Sequence, residues 1–455
     1  HQGREEFIRH FPSDFITEAI DQTRGWFYSM LMISTLVFDK ETQERFDLEP
    51  KDYPHPYKTC IVLGLITDPE GKKESKSKGN YTPPEIIMDK VAMDFAVVDG
   101  QDFKVEPKKG VALVARDDVQ GLDLSSGAAI RVCRPGGEED AIDLKIEAAK
   151  RLPRRVVVLT GDDRKQLGCR VTAHATSVKP VEVPRMPDEE RVTIEDPSSP
   201  SPGADAFRWF FLASKPPWSP TRHSLANVRA AQKEFPLKLR NVYSFFTIYA
   251  AIDEFDPRTT KGRPLAERTL LDRWILSELS RLNLRVIELM DEYRAFEAAR
   301  ELSNFVDGLS NWYLRRSRQR FWKSESDDDK LDAYATLYET LVTLIKLAAP
   351  FVPFMAEEIY QNLVGPWSRD AAESVHVCDY PVADESRVDA SLNEEMAAVR
   401  GIVSLGLRVR TQHKLKVRQP LSQAEIVLSH PDLEERVSVY KELIEEELNV
   451  RSVEF

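Results

Sequence analysis

Leu271, Trp274, Ile275, Leu279, Leu282, Val286 and Leu289 recur at spacings of three and four, and that stripe leaves the chain one economical way to bury them. A helix turns once in about 3.6 residues, so these side chains share one face of a single helix. Leu302, Phe305, Val306, Leu309 and Tyr313 repeat the pattern. Tyr334, Leu337, Leu341 and Leu344 repeat it again, before Pro350 and Pro353 stop that helix by removing backbone donors. Amphipathic helices joined by short connections predict an all-α bundle over residues 225–400.

Upstream, the pattern differs. Residues 1–90 read as mixed α/β. "TEAIDQTRGWFYSMLMISTLVF" predicts a long apolar helix capped by Thr17 or Asp14. "YKTCIVLGLI" carries no charge after Lys58, which predicts a strand buried on both faces. The turn Asp68-Pro69-Glu70-Gly71 comes next, and "TPPEIIMDK" opens a helix with proline in its first turn. Over residues 91–202 the chain changes to short β-type runs: "FAVVD", "GVALVAR", "AAIRVCR", "RVVVLTG" and "CRVTAHA". Glycine turns separate them, and "AIDLKIEAAKRL" predicts one interrupting helix. So long a stretch is no ordinary loop, so a small β-rich inserted domain is expected, closed by the linker "EDPSSPSPGAD". "GADAFRWFFLAS" returns to a buried, aromatic-rich helix, with residues 203–224 rejoining the first domain. Residues 401–455 read as mixed, with "LSQAEIVL" a strand and "DLEERVSVYKELIEEEL" a helix.

Composition narrows the possibilities. The net charge of −12 excludes a generally basic nucleic-acid coat, though not a local basic patch. The four cysteines are far apart and form no Cys-x-x-Cys pair, which suits a reducing compartment and gives no zinc signature. No apolar run has the length of a membrane span and no signal peptide is visible, so a cytoplasmic protein without a membrane partner is expected. The sequence opens on His1 and stops at "NVRSVEF", which predicts a piece of a longer protein.

Three stretches carry candidate chemistry. "GKKESKSKGN" places Lys72, Lys73, Ser75, Lys76, Ser77 and Lys78 on one loop. Such a loop is either solvated surface or a clamp that neutralises a polyphosphate and donates hydrogen bonds to it. It is not a Walker A frame. In "EAIDQTRGWF", Glu18, Asp21 and Gln22 share one face if the segment is helical. They are then a surface stripe, or acceptors for an α-ammonium and ribose hydroxyls. In "NWYLRRSRQRFW", Arg315, Arg316, Arg318 and Arg320 lie between Trp312 and Trp322. Arginine interleaved with aromatics suits RNA. Equally, the aromatics are core and the arginines pair with acids on neighbouring elements.

Together these stretches resemble a known family. "KESKSKGN" resembles the KMSKS signature of class I aminoacyl-tRNA synthetases. "ITEAIDQTRGWFYSMLMIST" and "PHPYKTCIVLGLI" resemble the isoleucyl-tRNA synthetases in particular. "GADAFRWFFLAS", "NVYSFF", "LLDRWILSEL", "NWYLRRSRQRFW", "APFVPFMAEEIY" and "KLKVRQPL" are similar to that family's sequence downstream of the signature. The resemblance implies the C-terminal half of a Rossmann-like catalytic domain at 1–90, a helical anticodon-binding domain, and a short mixed α/β C-terminal piece. It implies that Lys73, Ser75, Lys76 and Ser77 bind ATP, with Lys76 and Lys73 as the catalytic cations. It implies that Glu18, Asp21 and Gln22 hold the aminoacyl-adenylate, and it directs tRNA to Trp312 and Arg315, Arg316, Arg318 and Arg320. Its substrates are ATP, entering with Mg2+, L-isoleucine and tRNA(Ile), acting on a monomer with no metal site of its own.

The departures from the pattern are specific. No His-x-Gly-His occurs, and the editing domain is absent, so the chain by itself is expected to be incompetent. Glu74 replaces the usual Met, Ala19 stands where glycine is common, and Leu63 where a histidine often precedes Gly64. Segment 91–202 has no counterpart in the pattern. Two alternatives stay open: a non-catalytic tRNA-binding or adaptor protein built from synthetase parts, and a sister synthetase for valine, leucine or methionine.

Overall fold

β-branched residues override helical periodicity at the start of the chain. The computed structural model describes residues 3–48, 54–78, 80–135, 137–323, 327–368, 371–428 and 431–455. In it, Ser13–Ala19 is a strand, β1, pairing in parallel with β2, Tyr57–Leu63. Ile16 is buried and the Thr17 hydroxyl donates to the Ile61 carbonyl at 2.8 Å. Asp14 pairs with Lys58 at 2.7 Å, so neither Thr17 nor Asp14 caps a helix. The helix predicted from Thr17 begins only at Trp26, after a 3-10 turn over Ile20–Arg24, and ends at Val37. Ile16 and Thr17 suit an extended backbone, which explains the shift. Strand β2 forms, but it is not buried on both faces. Lys58, Cys60 and Leu63 are exposed, because β1 is its sole strand neighbour among the described residues.

The chain divides into two compact units, His1–Leu237 with Ala295–Ala299 and Lys238–Arg294 with Arg300–Phe455. In the first, a two-residue strand, β3 (Ile66–Thr67), and the helix Pro84–Met88 lead into a closed barrel. Its strands are β4 (Ala92–Val97), β5 (Val111–Ala115), β6 (Ala129–Arg134), β7 (Gly137–Ala149), β8 (Val156–Val158) and β9 (Arg191–Glu195). They run β4, β8, β5, β7, β6, β9 around the barrel, with β9 closing on β4. β4–β8 and β5–β7 are parallel and the other pairs antiparallel. Closure removes the free edges that a small sheet would otherwise expose.

Two local expectations fail inside the barrel. The helix predicted over 141–152 is most of strand β7. Ile142, Leu144 and Ile146 are buried while Asp143 and Lys145 are exposed, a period of two disguised by the four-residue spacing from Ile142 to Ile146. The β-type run Cys169–Ala175 forms no strand; turns and coil carry it along the barrel wall. At the joints the Asp196 amide donates to the Val91 carbonyl at 2.9 Å and the Gly203 amide to the Ile87 carbonyl at 2.8 Å. The barrel therefore leaves and re-enters its unit at neighbouring points. Arg229, on the helix Leu225–Glu234, braces it by donating to Asp123 at 2.7 Å and to the Ser199 hydroxyl at 2.5 Å. The predicted helix after the linker forms over Ala204–Ala213, and its Trp209 stacks on Phe235 with centroids 4.0 Å apart. A second two-residue strand, β10 (Thr221–Arg222), pairs in parallel with β3.

The second unit is helical where periodicity predicts it. Leu270–Asp291 buries Trp274, Ile275, Leu279, Leu282, Val286 and Leu289, and Thr269 caps it by accepting from the Asp272 amide at 3.3 Å. Leu302, Phe305 and Val306 are buried on Ala295–Gly308, and a π-helical turn, Leu309–Leu314, joins it to Arg315–Trp322. Asp328–Ala348 buries Tyr334, Leu337, Leu341 and Leu344, and Pro353 opens the next helix, which runs to Leu363. The change of character expected at residue 401 falls inside a continuous helix, Ala390–Gln412, since Gly401 lies mid-pattern with nothing to end it. The predicted strand at 421–428 shrinks to Ala424–Glu425, parallel to Val453–Glu454. The predicted helix after it is broken into Pro431–Ser438 and Lys441–Leu448.

A buried carboxylate holds this helical unit together. Asp272 is fully buried. Its Oδ1 accepts from the Tyr313 hydroxyl at 2.7 Å and Arg320 Nη1 at 2.9 Å. Its Oδ2 accepts from Arg320 Nη2 and the Thr269 hydroxyl, each at 2.7 Å. Burial pushes the carboxyl up, but Arg320, Thr269 and Tyr313 more than offset it and hold the group below the ordinary range. Arg320→Ala strands that charge, so it should cost about 3–5 kcal/mol in urea unfolding. Arg318→Ala, on the same helix but exposed, should stay within about 0.5 kcal/mol. Equal losses would show that the ion pair is not what matters.

In the barrel, Asp118 lies in the opposite balance. It is 3% exposed and accepts from the Arg155 amide at 2.7 Å. Burial pushes its carboxyl up from 3.8 to about 6, against the pull of the Arg155 amide and the Arg155 and Arg154 guanidinia. A folded pKa above the unfolded one means stability present below pH 3.8 and lost as pH rises through about 6. The loss amounts to about 3 kcal/mol at 1.36 kcal/mol per unit. Asp118→Asn should therefore remove this component, so that hydrogen exchange in β5 and β7 at pH 7.5 becomes slower than in the parent. Faster exchange in the variant would contradict the assignment.

Candidate active site

The lysine–serine loop is anchored by one carboxylate and one amide. β3 runs into the turn Asp68–Gly71, where Gly71, at φ 84°, donates its amide to the Asp68 carbonyl at 2.9 Å. Asp68 is 3% exposed. Its Oδ1 accepts from the Lys72 amide and its Oδ2 from Asn80 Nδ2, each at 2.8 Å. Asn80 in turn accepts from the Ser75 amide at 2.9 Å and donates to the Lys73 carbonyl at 3.2 Å. Burial pushes the Asp68 carboxyl up; Asn80, the Lys72 amide and the nearby Arg154 and Lys72 cations outweigh it and hold the group below its ordinary value. The clasp thus ties both ends of the loop to one ionised group.

Above the clasp the loop presents cations and hydroxyls. Lys72, Lys73, Ser77 and Lys78 are exposed, and the Ser75 and Ser77 hydroxyls lie 2.9 Å apart. Lys76 opens the 3-10 turn Lys76–Lys78, while its side chain lies outside the described residues. Glu74 neither faces solvent nor stands among the lysines. His223 Nδ1 lies 3.1 Å from its Oε1, with both side chains largely buried.

The chain returning from the barrel passes against the base of this loop. The Gly64 amide donates to the Pro217 carbonyl at 2.8 Å, and any Cβ at Gly64 would lie 2.4 Å from the Ser219 carbonyl oxygen. A glycine is required there for close backbone approach. The β3–β10 pairing continues with the His223 amide donating to the Thr67 carbonyl at 2.8 Å.

Glu18, Asp21 and Gln22 do not share a helical face. Glu18 is in β1, opposite Val62, while Asp21 and Gln22 lie in the 3-10 turn. All three nevertheless stand at the carboxyl end of the parallel β1–β2 pair, where α/β sheets gather ligands. Glu18 and Asp21 are exposed, and neither has an ion pair among the described residues. Gln22 is committed differently: its Oε1 accepts from the Trp26 amide at 3.0 Å, so it caps the helix. No hydrogen bond or ion pair joins this set to the lysine loop among the described residues.

Most of the arginine stretch is paired with carboxylates. Trp312 is buried. Arg315 donates to Glu447 at 2.5 Å, Arg316 to Glu447 at 2.6 Å and to Glu446 at 2.7 Å, and Arg320 is the partner of Asp272. These carboxylate partners and the burial of Trp312 favour the alternative reading, aromatics in the core and arginines paired with acids on neighbouring elements. Arg318 is the exception: it is exposed and has no ion pair among the described residues. Asp68, Asn80 and His223 are the site residues that sequence reasoning missed. The turn and the loop flank contain the first two, but nothing in the sequence marks them as a pair.

Comparison with known proteins bears on both units. Residues 1–217 match the family model of tRNA synthetases class I (I, L, M and V), and residues 272–427 match that of the anticodon-binding domain of tRNA ligase. The isoleucine–tRNA ligase of Clostridium novyi (strain NT) is 36% identical over 454 residues, an alignment covering 100% of this chain and 31% of that protein. The isoleucine–tRNA ligase of Dehalococcoides mccartyi (strain CBDB1) is 35% identical over 443 residues, covering 97% of this chain and 31% of that protein. The chain thus spans about a third of the length of the curated relatives it matches. A solved ternary complex, Agrobacterium radiobacter K84 agnB2 LeuRS–tRNA–LeuAMS, overlays with a TM-score of 0.45 at 14% identity, covering 84% of this chain and 30% of that one, too loosely to carry a conclusion.

Proposed function

We propose that the chain is part of a class I tRNA synthetase and supplies the phosphate-handling loop and the anticodon-binding helices of an isoleucine–tRNA ligase. In this reading residues 1–90 and 203–224 are part of a Rossmann-like catalytic domain, 225–400 the anticodon-binding bundle, and 401–455 the start of a mixed C-terminal region. The barrel at 91–202 is an insertion with no role assigned. The substrates are ATP, L-isoleucine and tRNA(Ile), and the protein works as a cytoplasmic monomer.

The observation that carries the reading is the clasp: Asp68 and Asn80 fix the base of a loop whose exposed side chains are lysines and serines. In the first step the carboxylate of isoleucine attacks the α-phosphorus of ATP, the adenylate forms and pyrophosphate leaves. Negative charge grows on the departing phosphates, and Lys73 and Lys76 neutralise it, while Ser75 and Ser77 donate to phosphate oxygens. Mg2+ entering with ATP supplies further neutralisation on the phosphates. Glu18 and Asp21 accept from the α-ammonium and ribose hydroxyls, which positions the nucleophile. Gln22 contributes through the helix it caps. In the second step a terminal ribose hydroxyl of tRNA attacks the acyl carbon of the adenylate, the ester bond forms as the acyl–phosphate bond breaks, and AMP leaves.

Two measurements test this. In the natural full-length protein, Lys76→Ala and Lys73→Ala should each slow ATP–pyrophosphate exchange about a hundredfold while isoleucine binding changes little. Unaltered exchange would remove the clamp reading. For tRNA, Arg318→Ala should weaken binding and lower the salt slope by about one phosphate contact. An unchanged slope would remove Arg318 from the RNA surface.

A further inference from the structure

We propose that Glu74 and His223 form a tether that decides which side chains of the lysine–serine loop face the phosphates. They are positioning residues for the reaction, an inference that rests on the phosphate-clamp reading of the loop. Lys73 bridges Thr67 in antiparallel fashion, and the Glu74 amide donates to the Ile66 carbonyl at 3.3 Å. Backbone in that conformation sends successive side chains to opposite sides. With Glu74 held inward, Lys73 must point outward, and it is exposed. A slip of one residue would bury the lysine and expose the acid. The tether is therefore a register pin.

His223 is built to hold it. It comes from 149 residues further along the chain, and its amide is fixed on the Thr67 carbonyl at 2.8 Å. Its ring packs among Phe207, Phe210 and Phe211, with centroids 5.6, 5.9 and 5.6 Å away. Its Nε2 is buried with no hydrogen-bond partner among the described residues. Against an ionised carboxylate, Nδ1–H is the donor, since a carboxylate only accepts. Among the described residues Glu74 is thus the side-chain polar partner of this buried ring, and His223 that of Glu74. Removing either leaves the other desolvated and unpaired. The departure of Glu74 from the family pattern, where Met is usual, then has a physical reason. A polar residue is tolerated at an inward position because a second polar residue meets it there. An apolar pair should do the same work, given the phenylalanine wall.

The test combines loop dynamics with kinetics. Hydrogen exchange of the amides at 73–78 is measured in this chain, and ATP–pyrophosphate exchange in the natural full-length protein. Glu74→Ala and His223→Ala should each speed exchange at 73–78 about tenfold, with β5 and β7 unchanged as evidence of folding. Glu74→Gln, which still accepts from Nδ1–H, should stay within about twofold. Glu74→Met and His223→Phe should each loosen the loop alone, and the double variant should restore its protection. The KM for ATP should rise about tenfold in the alanine variants, that for isoleucine should not move, and the double variant should recover the parent value. Parent-like exchange at 73–78 in both alanine variants would overturn the tether. An unmoved KM for ATP in them, while Lys73→Ala and Lys76→Ala still slow the reaction, would overturn its positioning role alone. If the lysine variants are also without effect, it is the clamp reading that has failed.

Discussion

The lysine loop depends on a backbone meeting: the segment Pro217–His223 returns to lie against Gly64–Thr67, which the chain left about 150 residues earlier. Without it β3 loses its strand partner β10, and His223 never reaches Glu74. Gly64 makes the crossing possible by giving up its side chain to the Ser219 carbonyl. The barrel makes it affordable in entropy. A disordered detour of that length would oppose the meeting, though only logarithmically in its length. A folded insertion whose ends touch through Asp196 and Val91 acts on its host as a short turn.

Three buried acids show how this protein decides the charge of an interior carboxyl. Asp272 has four donated hydrogen bonds and Asp68 has two, and both sit below the ordinary range. Asp118 has the Arg155 amide as its hydrogen-bond donor, and burial wins, pushing it up to about 6. Desolvation acts on all three; the number and charge of the donors set the sign. The first two are where the structure needs a fixed negative charge, at the base of the loop and at the centre of the helical unit.

The parts legible in the sequence are those where one local rule dominates. The stripes at Leu271–Leu289 and Tyr334–Leu344 can be placed because burial of a helix face is periodic, and the Gly203–Ser214 helix because its cap and aromatics are contiguous. Where two periodicities fit the same residues, the prediction fails. Ile142 and Ile146 fit a helix by spacing and a strand by alternation, and the barrel neighbours decide. Thr17 reads as helical from its apolar surroundings, although its own branching favours the strand. The loop is legible as a set of lysines and serines. The clasp is not, because Asp68 and Asn80 are ordinary turn residues until the fold brings them together, and neither is the tether, whose halves are 149 residues apart.

The arginine stretch carries the same lesson for partners. The acids that pair with Arg315, Arg316 and Arg320, namely Glu446, Glu447 and Asp272, lie at separations in sequence that no spacing rule connects. On a chain of net charge −12, cations paired internally add little to the field that a polyanion feels. If the chain binds tRNA as proposed, Arg318, exposed and without an ion pair among the described residues, is the cation of this stretch left to meet it. The same holds for catalysis. A lysine serves a departing phosphate only if it is not already satisfied by a carboxylate, and in the proposed reaction turning Glu74 inward onto His223 would keep the loop's own acid from competing with ATP for its lysines.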